Sequence, residues 1–120
     1  QKDRAMKKMR KIVANSLPGT RAKITFIDSY PPMGPSKGNK KLLKVLSRTS
    51  RDLGFGKVKA LDPGLRGAAD TSFVAPYVSA IDGLGLLGDG AHSNKEKIDL
   101  AVLPKIMKRT AVFIHRLANK

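Results

Sequence analysis

His92 is the side chain whose type and setting best suit it to a site. It sits in Gly88-Asp89-Gly90-Ala91-His92-Ser93-Asn94-Lys95-Glu96, a run of small and polar residues that follows an apolar stretch. Glycine lets backbone and ligand approach closely, and a neutral imidazole can ligate zinc or shuttle a proton. Zinc takes three or four N, O or S donors, so His92 would need carboxylates such as Asp70, Asp89 or Glu96 to converge on it. No His-x-x-x-His or His-x-Glu pair is present. A metal centre built on His92 therefore calls for donors from outside this chain. The second histidine, His115, lies between Ile114 and Leu117 and reads as a surface or core-edge residue.

Arg66 is the other residue that stands apart. Across positions 60–94 it is the single base against four acids (Asp62, Asp70, Asp82 and Asp89), a net charge of −3 in a chain of +15. Beside Gly67, its guanidinium suits either bidentate capture of a carboxylate or an ion pair with a nearby aspartate. Ser72, Ser79 and Ser93 lack the Gly-x-Ser-x-Gly context of a hydrolase nucleophile. No phosphate-binding or dinucleotide-binding glycine motif occurs. The absence of cysteine excludes disulfides, thiolate zinc sites and a thiol nucleophile.

The elements that must position these residues follow from periodicity. Met6, Met9, Val13 and Leu17 predict a helix over 3–16, stopped by Pro18-Gly19. Alternation predicts a strand over 22–26. Three prolines and two glycines make 31–38 a loop or a domain boundary. Leu42, Leu43, Leu46 and Leu53 give a helix over 39–53, capped by Asn39 and ended by Gly54. A short strand is expected around Val58, and a short helix capped by Asp70 through Phe73 and Val74. Residues 78–87 read as a buried strand. A final helix runs over 99–117, capped by Asp99 with Pro104 in its first turn. Strands alternating with helices indicate an α/β class.

The 24 Lys and Arg against 9 Asp and Glu crowd the first two helices. They suit the solvated faces of amphipathic helices, with a small basic nucleic-acid-binding module as the alternative. Six scattered Phe and Tyr with no Trp make no stacking platform, so no specific nucleic-acid partner is expected. No apolar run approaches the ~20 residues of a membrane span.

The order of these loops and helices resembles a known family. It is the zinc metallopeptidase and amidohydrolase family of glutamate carboxypeptidase, aminoacylase, tripeptide aminopeptidase and succinyl-diaminopimelate desuccinylase. Its Arg-Gly-Gly-Thr-Asp loop before a short helix is matched by Arg66-Gly67-Ala68-Ala69-Asp70. Its later Gly-x-Gly-x-His loop, with a Glu four or five residues on and a long last helix, is matched by Gly88 to His92, Glu96 and the final helix. Pro31-Pro32 resembles the crossing from the family's inserted lid into its catalytic domain.

The resemblance implies the C-terminal third of such an enzyme. Residues 1–31 would end an α+β lid or dimerisation domain with a helix and a strand. Residues 32–120 would be the C-terminal part of a catalytic domain, with helices on a mixed sheet. It further implies that His92 is the last ligand of a two-zinc centre, and that Arg66, Gly67 and Ala68 hold the substrate's free carboxylate. The metal-bridging Asp and the general-base Glu would lie upstream, so no catalytic residue falls in this chain and the fragment alone should be inactive. The substrate implied is a peptide or N-acyl amino acid, and the full-length enzyme is a candidate homodimer. Ala68 and Ala69 depart from the family's Gly and Thr or Ser, adding methyls and removing a hydroxyl.

Overall fold

Met6 and Val13 recur on one face of the first helix, and α1 forms over Lys2–Ala14 with both side chains half-buried. The computed structural model describes residues 1–65, 67 and 69–119. The expected strand at 22–26 keeps the alternation of a strand: Ile24 and Phe26 are half-buried, Lys23 and Thr25 exposed. It forms no ladder, because no other backbone among the described residues pairs with it. Instead it is tied to α1 by side chains. Lys2 Nζ meets Asp28 Oδ1 at 2.6 Å, and the Arg10 guanidinium lies 5.0 Å from the Phe26 ring centroid.

Helix α2 spans Lys37–Asp52. Its N-cap is Ser36, whose Oγ accepts from the Asn39 N–H at 3.0 Å, and not Asn39 as expected. Asn39 acts one turn in: its Oδ1 accepts the Ala80 N–H at 3.0 Å, across forty-one residues. The helix ends in a Schellman motif. Gly54 at φ +74 donates to Arg51 O, and the Phe55 N–H donates to Ser50 O. Ser36→Ala is expected to cost about 1 kcal/mol of stability, visible as a lower melting temperature in circular dichroism.

Helix α3 is the single turn Thr71–Val74, and the last helix, α4, spans Leu103–Ala118 with Pro104 in its first turn. The apolar stripes of α2 and α4 face each other, burying Leu46, Ile106 and Phe113. Thr49 is fully buried in the same seam and accepts from Arg116 Nη1 at 3.3 Å. Arg116 also forms an ion pair with Asp52 at 2.5 Å. Asp99 does not cap α4; its Oδ1 accepts the Ala101 N–H at 2.9 Å in a turn ahead of the helix.

The expected strands at Val58 and over 78–87 form no ladder either. Side chains of α2 hold both: Ser47 Oγ accepts the Val58 N–H at 3.2 Å, and Asn39 holds Ala80. Pairing among the described residues is confined to β1, Gly88–Asp89, and β2, Lys97–Ile98. They run antiparallel with Gly88 opposite Ile98 and Asp89 opposite Lys97, β1 opening the 88–96 stretch expected to be loop and β2 directly following it. The result is an α-rich arrangement with one two-stranded sheet, compatible with the α/β class. The radius of gyration is 20.0 Å, against about 14 Å for a compact globule of this length. Leu17, Ile27, Leu65, Tyr77 and Leu100 are each more than two-thirds exposed. Among the described residues, no helix is long and apolar enough to cross a membrane.

Candidate functional site

The His92 loop owes its shape to its glycines. A Cβ on Gly88 would run into the backbone carbonyl of Lys97 on the opposite strand, and into Ile98 Cα at 3.0 Å. Only a residue without a side chain lets β1 and β2 close there. Gly90 sits at φ +70, and a Cβ on it would meet Lys95 O at 2.8 Å. The ladder extends one bond below the strands, from the Asp99 N–H to Leu87 O at 2.8 Å.

Above the strands, local bonds close the loop. The Ser93 N–H and Oγ both donate to Gly90 O, at 3.0 and 2.7 Å. Ser93 Oγ then accepts the Lys95 N–H at 3.1 Å, and Ser93 O accepts the Glu96 N–H at 3.2 Å. His92 rides this framework at φ +64, the one described non-glycine residue with a positive φ. Histidine is enriched in this left-handed region, though it is sparsely used by side-chain-bearing residues. The imidazole is exposed. The loop is thus closed by its own backbone and Ser93, with the His92 ring exposed.

Of the other expected site residues, Arg66 and Ala68 lie outside the described residues. Gly67 is exposed, and a Cβ on it would meet nothing within 4 Å. Its lack of a side chain is therefore not demanded by this chain's packing, in contrast to Gly88 and Gly90. Asp70 heads α3 but its carboxylate does not cap it. Oδ1 accepts from the Tyr30 hydroxyl at 3.0 Å, and the Tyr30 ring lies 5.1 Å from Phe73, tilted by 58°. The phenol is held above its ordinary pKa by that hydrogen bond and by the adjacent negative charge. Sequence reasoning missed Tyr30; the one signal was an aromatic just before Pro31-Pro32.

Zinc fits His92 in kind, since an exposed imidazole offers a nitrogen donor, but the set is incomplete in number. Among the described residues, no three His, Asp or Glu side chains gather into a metal-binding cluster. Asp70, Asp89 and Glu96 do not converge on His92. A separate cleft of about 1000 Å³ lies between α2 and residues 57–60. Lys44, Arg48, Arg51, Lys57, Lys59 and Arg116 line it around one carboxylate, Asp52, and no expected site residue does.

Residues 5–116 match the model of Peptidase family M20/M25/M40, and the chain belongs to that family. No curated protein and no solved structure gave a match.

Proposed function

We propose that this chain is the C-terminal third of a zinc-dependent peptidase or amidohydrolase, resembling the glutamate carboxypeptidase, aminoacylase, tripeptide aminopeptidase and desuccinylase group. The enzyme hydrolyses the amide bond of a peptide or N-acyl amino acid that carries a free carboxylate. The observation that carries this reading is the His92 arm, in a chain whose family match runs over residues 5–116. An exposed imidazole held on a closed glycine turn is placed where donors from the rest of an enzyme could meet it.

His92 is read as a zinc ligand, and Arg66, Gly67 and Ala68 as the holders of the substrate carboxylate. Bound zinc, two ions in the complete enzyme, would supply a Lewis acid and an activated water. The general base and the metal-bridging aspartate belong to the rest of the enzyme. Residues 1–31 are read as the end of a lid or dimerisation domain and 32–120 as part of the catalytic domain. Two features of the fold support reading the chain as part of a larger body: strand-like segments without partners among the described residues, and large apolar side chains left open to solvent. The 120 residues alone are expected to be inactive.

The test is made on the protein as its native source produces it. Intact mass, bound zinc and hydrolysis of a panel of N-acyl amino acids would be measured together. A product well above 13.0 kDa that binds zinc and cleaves free acids faster than their amides is the expected result. A native product of about this chain's size, without zinc or activity, would sink the reading.

A further inference from the structure

Resting on that reading of the 66–70 loop, we infer that Tyr30 is a positioning residue that fixes the loop to the crossing between the chain's two parts. Three observations meet at this point. The Tyr30 hydroxyl donates to Asp70 Oδ1 at 3.0 Å, across forty residues. Its ring rests on Phe73, one turn further along α3. Asp70 stands at the position from which it would cap α3, yet its side chain makes no bond to that helix. The carboxylate is therefore committed to the crossing.

The two ends of the loop are held differently. Before it, Asp62 Oδ1 accepts the Gly64 N–H at 2.9 Å, and Asp62 O accepts the Leu65 N–H at 3.0 Å, so the bonds there are local. After it, Tyr30 grips Asp70 and Phe73 from the segment that leads into Pro31-Pro32. Any displacement of that segment moves the downstream end of the loop with it. Among the described residues, nothing lies within 4 Å of where a Cβ on Gly67 would sit, so no packing at that position resists the movement. Tyr30 touches neither substrate nor metal in this reading; it acts through Asp70 on the residues that hold the carboxylate.

The experiment pairs Tyr30→Phe, which keeps the ring and deletes the donor, with Asp70→Ala and the double variant, all in the full-length enzyme. The first readout is amide hydrogen exchange at Ser72 and Phe73, whose N–H groups donate to Ala69 O and Asp70 O. Exchange there should rise about fivefold in either single variant and no further in the double, since one hydrogen bond is being removed. Asp70→Asn, which keeps an acceptor, should restore most of the protection. The second readout is kinetic. KM for a free-acid substrate should rise about fivefold with kcat nearly constant, while KM for the matching amide stays put. Unchanged exchange in Tyr30→Phe overturns the clamp, whatever the activity. Raised exchange with equal KM changes for acid and amide overturns its positioning role toward the carboxylate. Raised exchange in a protein that cleaves no acyl amino acid leaves the clamp standing and removes the peptidase reading instead.

Discussion

In the full-length enzyme, His92→Asn is expected to strip bound zinc and lower kcat/KM by about three orders of magnitude, equivalent to roughly 4 kcal/mol of lost transition-state stabilisation. Asparagine is the informative replacement because it tolerates the left-handed backbone that His92 occupies at φ +64. Alanine would mix the loss of the imidazole with strain in the loop. The stability of the chain should move by no more than about 0.5 kcal/mol, since the ring is exposed and its loop is closed by Gly90 and Ser93 rather than by the ring itself. Zinc analysis on the purified variant separates the two chemistries open to His92. Zinc lost together with activity is the ligand outcome. Zinc retained with a depressed rate would make His92 a proton carrier, and an unchanged rate would remove it from the site altogether.

The helices were legible in the sequence because their signal is local. Leu42, Leu43 and Leu46 mark one face of α2, Ile106 and Phe113, two turns apart, mark one face of α4, and Leu46, Ile106 and Phe113 are buried where the two helices meet. The strands were not, because a ladder needs a partner and periodicity says nothing about who supplies it. Residues 22–26 have the alternation of a strand and no pairing among the described residues, while Gly88–Asp89 pairs with no alternation to announce it. The expected caps failed for one shared reason. Asn39, Asp70 and Asp99 each have a short polar side chain able to bond a nearby N–H, and each found another donor: Ala80, Tyr30 and Ala101 respectively. Two of those donors are about forty residues away, beyond any local rule, and Ser36 was left to cap α2.

The candidate site divides in the same way. The His92 loop could be read because its glycines and its histidine lie within five residues of each other. What could not be read was the separate reason for each glycine: close approach of Lys97 at Gly88, and a positive φ at Gly90. Tyr30 was passed over because its partner, Asp70, is distant in sequence and looked fully occupied as a helix cap.

Those glycine roles yield the second large effect. Gly88→Ala places a methyl against the Lys97 carbonyl, and backbone on a paired strand cannot swing aside as a flexible side chain would. The strands must part, breaking the Gly88–Ile98 pairing and the Asp99 N–H to Leu87 O bond, at a cost of about 2–3 kcal/mol. Gly90→Ala should cost somewhat less, roughly 1–2 kcal/mol for the left-handed backbone, plus the close contact with Lys95 O. Faster hydrogen exchange at Asp99 reports the opening directly. In the full-length enzyme a loosened arm should weaken zinc binding about 10- to 100-fold while His92 itself is untouched. Gly67→Ala is the matched control, since its added methyl meets nothing within 4 Å and should leave both Asp99 exchange and stability unchanged. If Gly88→Ala left Asp99 as protected as before, the glycine would not be what closes the hairpin. The closed hairpin that the His92 reading depends on would then have no physical basis.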